Sequence, residues 1–138
     1  MLPKTVEHAI KILVCLALSV GTPISASTVA QSLRIPPSQT AKILHYLSLR
    51  GLTRSRRGSS GGYSLRESPE QISVGRVTEL FQPSPDEGRQ AFDDPLLQIW
   101  SETSDRYEHE WHQLTIAELA RRTAGKWQSS KTTSEVTT

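Results

Sequence analysis

The sequence predicts a mainly α-helical fold with one small β-hairpin, on three observations. Apolar residues recur at helical spacing in three segments before residue 50. Two strand-like runs then flank a Gly/Ser-rich turn at residues 58–62. After Pro95, apolar and aromatic residues return at spacings of three and four over a long segment. With 138 residues, 36% of them hydrophobic, the chain fits one compact unit, or one unit with an appendage, rather than two full domains.

Thr5 is positioned to cap a first helix over residues 6–20, with Val6, Ala9, Ile10, Leu13, Leu16 and Ala17 on its apolar face. Glu7, His8 and Lys11 lie mostly outside that face, and Gly21-Thr22-Pro23 ends the helix. Ser25 caps a short second helix over 26–33 that buries Val29, Ala30 and Leu33. Pro36 and Pro37 stop that helix and suit the entrance to the next, where Ser38 is either the cap or part of the first turn. The third helix runs to about Arg50 and stops at Gly51. It turns Thr40, Ile43, Leu44 and Leu47 inward, leaving Gln39, Lys42, His45, Tyr46 and Arg50 largely on the rest of its surface.

Two short helices joined by a tight turn, the second amphipathic and basic on its open side, form a helix-turn-helix candidate. The following stretch strengthens it. Residues 52–57 have strand character, 58–62 form a flexible turn, and Tyr63-Ser64-Leu65 returns as a second strand. A hairpin directly after a recognition-type helix is the wing of a winged helix, here with an Arg-rich edge. Gly61-Gly62 permits backbone angles or a close approach that other residues resist. Ser73 then caps a helix to about Phe81, whose Val74, Val77, Leu80 and Phe81 can close over the core.

Residues 82–88 are a linker by composition. Asp93 or Asp94 can cap a long helix with Pro95 in its first turn, along which Leu96, Trp100, Ser104, Tyr107, Trp111 and Leu114 recur. Its own region offers too few partners to bury two tryptophans and a tyrosine, so Leu96, Trp100, Tyr107, Trp111 and Leu114 are read as a dimerisation face. Thr115 through Glu118 reads as a capping box that opens a short final helix to Arg122. The expected organisation is a winged helix-turn-helix domain over 1–82, a linker, dimerisation helix and short terminal helix over 83–124, and a disordered polar tail over 125–138.

The net charge of +2 conceals a division. Residues 1–66 carry nine Lys/Arg against one acid, Glu7, whereas residues 67–118 carry three Arg against twelve acids. A basic block joined to an acidic one suits a module that meets a polyanion beside one that does not. The single cysteine, Cys15, excludes an internal disulfide framework and a Cys-rich zinc site; in its apolar run it reads as a buried, inert thiol. That run superficially imitates a signal peptide, but it is too short to span a membrane and is interrupted by charge at helical spacing. A soluble, cytoplasmic protein with no membrane partner is expected.

Several of these words together resemble the Rrf2 family of bacterial winged-helix transcription regulators, over residues 1 to about 122. They are Glu7-His8-Ala9, the stretch Ile35 to Leu52, the wing Arg57-Gly58-Ser59-Ser60-Gly61-Gly62-Tyr63-Ser64-Leu65, Ile72-Ser73-Val74, and Leu114-Thr115-Ile116-Ala117-Glu118-Leu119. The Gly-Gly-Tyr-x-Leu wing followed by Pro69-Glu70-x-Ile72-Ser73 is the most specific part. The resemblance implies a homodimer whose long C-terminal helices cross between subunits, most often a repressor, reading a roughly palindromic operator. The recognition helix would enter the major groove and the wing would reach the neighbouring backbone or minor groove. Several members sense iron–sulfur clusters, nitric oxide or redox state through three cysteines before the long helix. Residues 82–100 here contain none, and Glu7, at a position where some relatives supply an acidic ligand, cannot hold a cluster without thiolates. No cofactor is expected, and the existence and identity of a small-molecule effector stay open.

On this reading phosphate neutralisation dominates affinity, with Arg54, Arg56 and Arg57 of the wing and Lys42 and Arg50 of the third helix as contributors. The tip Ser59-Ser60-Gly61-Gly62 offers hydroxyls and backbone N–H groups to the duplex. Base readout is assigned to Ser38, Gln39 and Lys42: Gln pairs with adenine, and Lys reaches guanine acceptors. Tyr46 either bonds a phosphate or covers the helix junction, His45 has the same two readings, and Tyr63 packs the wing onto the core. His109 and His112 stand three apart rather than at the zinc-protease spacing of four, so a surface or interface pair is expected rather than a metal site. No nucleophile–base–acid set, phosphate loop or paired carboxylates suggests an enzyme. Two rivals share the fold: a small-molecule-responsive regulator whose Trp100, Tyr107 and Trp111 line a pocket, and a protein-interaction adaptor without DNA binding. The basic wing argues against the adaptor.

Overall fold

A computed structural model describes residues 3–81 and 110–124. Within them the order is α1 (Lys4–Leu18), α2 (Ala26–Leu33), α3 (Pro37–Leu49), β1 (Thr53–Arg56), β2 (Gly62–Leu65), one 3-10 turn (Pro69–Gln71) and α4 (Val74–Leu80). Residues 110–113 are helical, and residues 116–124 form a further helix, α5. The expected linker over 82–88, most of the long helix and the tail lie outside the described residues.

α1 starts at Lys4, earlier than expected. Pro3 is its cap residue and accepts the Glu7 N–H at 3.0 Å, so Thr5 is one residue inside the helix and caps nothing. Proline's fixed φ suits a helix entrance. Glu7, in the first turn, pairs with Lys11 at 3.1 Å and Lys4 at 4.0 Å. The hydrogen bond to Lys11 and the charge of Lys4 hold the Glu7 carboxyl below its ordinary range. The helix also ends early, at Leu18: the Ser19 hydroxyl donates back to the Leu16 carbonyl at 2.7 Å, and the chain then turns through positive φ at Val20 and Gly21. Val20, expected inside the helix, sits in the turn at φ 51 and is almost fully exposed. Cys15 is half-buried rather than buried.

α2 follows its expected bounds, with Ser25 Oγ accepting from the Thr28 N–H at 3.2 Å. α3 opens on Pro37, which places Ser38 within the first turn. Its buried residues are the expected four, Thr40, Ile43, Leu44 and Leu47; the Thr40 hydroxyl is satisfied by the Pro36 carbonyl at 3.1 Å. At the other end Gly51, φ 80, lets the Leu52 N–H return to the Leu47 carbonyl at 3.0 Å and the Gly51 N–H to Ser48 at 3.1 Å. This pair of bonds closes the helix and turns Leu52, fully buried, into the core.

The hairpin is antiparallel, pairing Thr53 with Leu65, Arg54 with Ser64, Ser55 with Tyr63 and Arg56 with Gly62. Its second strand is also bridged on the other side. Ile24, before α2, donates to the Tyr63 carbonyl at 2.9 Å and accepts from the Tyr63 N–H at 2.7 Å. Below the hairpin, Thr53 is tied to the Leu44 carbonyl by its hydroxyl at 3.2 Å, which joins wing and α3 directly.

α4 is capped by Ser73, whose hydroxyl accepts from Arg76 N at 3.1 Å. Arg76 holds the Glu67 carboxylate in a bidentate pair, with Nη2 2.8 Å from Oε1. That hydrogen bond holds the Glu67 carboxyl below its ordinary range; burial opposes it, and the charges of Arg76 and Arg66 add smaller lowering effects. A depressed carboxyl stabilises the fold above its ordinary pKa, and the contribution disappears as pH falls through the folded-state value. Glu67→Gln is therefore expected to lower the urea midpoint at pH 7 by an amount worth at most ~1 kcal/mol, since the pair is partly solvated. Repeating the titration near pH 3 should find the two proteins converging.

The terminal segment belongs to the same core as the first helices. Val74 N–H donates to the Leu114 carbonyl and Ile116 N–H to the Ile72 carbonyl, both at 2.8 Å, in a bridge between Ser73 and Thr115. Ile116, fully buried, and Ala120 join Ile12, Leu13, Leu16, Leu44, Leu47 and Ile72 in one apolar cluster. Thr115 caps α5 as expected, accepting from Glu118 N at 3.2 Å. The return half of the capping box is not made: the Glu118 carboxylate instead pairs with Arg121 and Arg122, and the helix continues through residue 124.

Candidate nucleic-acid interface

The open side of α3 and the hairpin are positioned by this core. Because Thr40, Ile43, Leu44 and Leu47 are buried, Ser38, Lys42 and His45 face solvent, and Gln39 is half-buried at the flank. Arg50, also exposed, carries its guanidinium 5.4 Å from the centre of the Tyr46 ring. Tyr46 is half-buried. Its hydroxyl donates to the Leu80 carbonyl and its ring meets Phe81 at 5.0 Å, so this side chain joins α3 to the end of α4. Of the two readings left open by the sequence, the junction one describes its observed contacts.

On the wing, Arg54 and Arg56 are two residues apart on one strand and project from the same face. Arg56 stands opposite Gly62, so no cross-strand side chain contests its space. Arg57 follows at the turn, and all three arginines are exposed. The tip closes through Gly61 N–H to the Gly58 carbonyl at 3.0 Å, which puts Ser59 and Ser60 at the exposed corners. The two glycines face inward in part. A Cβ on Gly61 would meet the Arg56 carbonyl oxygen, and one on Gly62 would lie 2.4 Å from the Ile24 carbonyl carbon. The close approach that Gly62 permits is thus to the chain's own backbone before α2. Ile24 is the anchor of the wing, and its only sequence signal is a β-branched residue just ahead of the Ser25 cap.

Electrostatically the face is uncompensated by any described carboxylate. Among the described residues, Lys42, Arg50, Arg54, Arg56 and Arg57 make no ion pair, while the carboxylates of Glu7, Glu67, Glu79 and Glu118 are engaged by Lys11, Arg76, His112 and Arg122 respectively. Two basic elements, both on the outer side of the core, therefore present charge that no described carboxylate pairs with.

Of the residues read as a dimer face, Leu96, Trp100 and Tyr107 lie outside the described residues, as does His109. Trp111 and Leu114 are half-buried, and Leu114 contributes the backbone bond to α4. His112 packs its ring where a Cβ on Gly75 would fall, and its Nε2 lies 2.9 Å from Glu79 Oε1. Among the described residues no group of three or more His, Cys, Asp or Glu is placed to hold a metal ion, and no helix is long and apolar enough to cross a membrane. An open groove of about 370 Å³ runs between Leu16, Ala17 and Val20 of the α1 end and Leu65, Arg66 and Pro69.

The Rrf2 family profile, described as an iron-dependent transcriptional regulator, matches residues 2–122. A protein of Synechocystis sp. named as an HTH-type transcriptional regulator is 30% identical over 133 residues, covering 91% of this chain and 90% of its own. One of the same description from Aquifex aeolicus is 36% identical over 77 residues, 56% of this chain and 54% of its own. Among solved structures, T. potens IscR shares the fold at a TM-score of 0.74 and 21% identity, over 89% of this chain and 88% of its own. CymR, the global cysteine regulator of B. subtilis, does so at 0.70 and 22%, over 89% and 98%. With its helix-turn-helix, its glycine-closed wing and a match over nearly the whole chain, this protein belongs to the Rrf2 family of transcriptional regulators.

Proposed function

We propose that this regulator acts as a homodimeric repressor on a roughly palindromic operator. α3 lies in the major groove, and the arginines of the wing grip the adjacent phosphates. The observation that carries this reading is the exposed basic face formed by α3 and the hairpin, whose cations make no ion pair among the described residues. Ser38, Gln39 and Lys42 read base edges from the first turns of α3, with His45 one turn further on. Arg50, Arg54, Arg56 and Arg57, with the Ser59-Ser60 tip and the backbone at Gly61-Gly62, hold the phosphates. Tyr46 positions Arg50 and ties α3 to α4. The second copy packs through Leu96, Trp100, Tyr107, Trp111 and Leu114, and the complex works in the cytoplasm by binding rather than catalysis.

The reading excludes a cysteine-ligated cluster. Cys15 is the chain's one thiol, and it stands eight residues from Glu7 on α1, about 12 Å along the axis at ~1.5 Å per residue. Glu7 is also held by Lys11. One thiolate and a distant, occupied carboxylate do not make the donor set of such a cluster. A small-molecule effector reaching the aromatic residues near the dimer helix is compatible with this reading.

Fluorescence anisotropy against duplex DNA from upstream of the protein's own gene, beside a scrambled duplex, tests it. Four arginines per subunit engaging phosphates would give a dimer a slope of log affinity on log salt near −7, and a monomer about half that. Preference for the native duplex with the steeper slope is expected. Absence of binding to either duplex at low salt would overturn the proposal in favour of an adaptor.

A further inference from the structure

We infer that Ala41 is a specificity-determining residue that reads the methyl group of a thymine in the major groove. The inference rests on the DNA-reading role of α3 proposed above. Ser38, Ala41, Lys42 and His45 are all exposed, and their spacing of three, four and seven residues places them on one face of α3. Three of them offer polar or charged groups. Ala41 is the apolar member, and it sits in the second turn, between the residues best placed to meet base edges. It is not a core residue that happens to be small. The buried side of the helix is occupied by Thr40, Ile43, Leu44 and Leu47, and Ala41 is outside it.

A side chain consisting of one methyl has two effects at such a place. It lets the helix backbone approach the groove floor more closely than any longer residue would. It also presents a surface that only one base can match. Thymine is the base with an apolar group on its major-groove edge, whereas cytosine has only a C–H at that carbon and an amino donor beside it. Methyl against methyl removes apolar surface from water. With cytosine the methyl contact is lost, and the Ala41 methyl beside the adjacent amino group shields that donor from water without offering a partner, which is the costly arrangement. The residue therefore favours thymine twice, by what it gains there and by what cytosine would lose.

The test uses the full-length protein and operator duplexes in which each thymine is replaced, one position at a time, by deoxyuridine, which lacks only the methyl. For the wild type, one thymine in each half-site is expected to lose about fourfold in affinity on replacement, the effect of one buried methyl-sized group. Replacing the same thymine by cytosine should cost more, about tenfold or above. Ala41→Gly removes the protein's methyl and Ala41→Ser adds a hydroxyl without lengthening the side chain appreciably. In both, the deoxyuridine penalty should collapse toward onefold, and in Ala41→Ser the cytosine penalty should shrink too, because the hydroxyl can accept from the amino group. Glycine weakens a helix, so circular dichroism accompanies that variant, and the serine variant supplies the same answer with the helix intact. A wild type in which no thymine loses more than twofold on replacement would overturn the inference, as would a penalty undiminished in both variants. A wild type that does not distinguish operator from scrambled duplex would overturn the DNA-binding reading itself, and this inference with it.

Discussion

Gly62→Ala is expected to destabilise the protein by about 2–4 kcal/mol and to disable the wing at temperatures where the helices are still folded. The added Cβ would lie 2.4 Å from the Ile24 carbonyl carbon, 2.5 Å from its oxygen and 2.8 Å from Ser25 N. All three are backbone atoms, so no rotamer change relieves the contact. The φ of +146° disfavours a side chain independently. What gives way is the bridge between Ile24 and Tyr63, two short hydrogen bonds that hold β2 to the segment before α2. Gly58→Ala is the control: φ there is +111°, but nothing lies within 4 Å of the new atom, so the cost is backbone strain alone, about 1–2 kcal/mol. Urea unfolding should rank Gly62→Ala well below Gly58→Ala, with operator affinity reduced in the same order. Equal midpoints for the two variants would show that the wing does not depend on the Ile24 bridge.

The contrast between these glycines also shows which parts of the molecule are legible from sequence. Where the signal is local, the pattern suffices: the Ser25 cap with Ala26–Leu33, the four buried residues of α3, the Gly51 stop, the hairpin, and the Ser73 cap of α4 all depend on residues within one or two turns of each other. Where the deciding partner is distant, it does not. That Gly62 needs to be small for Ile24, 38 residues earlier, leaves no mark in the pattern around it. Ile116 and Ala120 look like one face of an isolated short helix, yet their apolar partners are on α1 and α3, and the Ser73–Thr115 bridge that delivers them has no periodic signature. The start of α1 differs from expectation for another reason. Thr5 is a good cap residue by type, but Pro3 already provides the carbonyl and the fixed φ that the entrance requires. For the candidate site, the sequence names which side chains are exposed and basic. It does not decide between two uses of Tyr46, because Leu80 and Phe81 come from another helix.

Arg56→Ala combined with Arg57→Ala is expected to weaken operator binding by about a hundredfold or more near 100 mM salt. The plot of log affinity against log salt should become less steep by about four, one for each phosphate that the variant dimer no longer neutralises. Stability should be unchanged within ~0.5 kcal/mol, because both side chains are exposed, neither makes an ion pair among the described residues, and Arg56 faces a glycine across the hairpin. Affinity for a scrambled duplex should fall by nearly the same factor, since phosphate contacts carry no sequence information, and the ratio of specific to non-specific affinity should hold. That separates the wing from α3: Lys42→Ala or a change at Gln39 should reduce the ratio and barely alter the slope at the wing. If the double variant keeps its slope and its affinity within twofold, Arg56 and Arg57 are only solvating charges, and the phosphate grip must be sought at Arg54, the wing tip and α3. A fall in affinity with an unaltered slope would mean instead that the arginines shape the hairpin, which the unfolding midpoint would then reveal. Slope, ratio and midpoint together assign the wing's charge to one use, because each alternative moves a different one of the three.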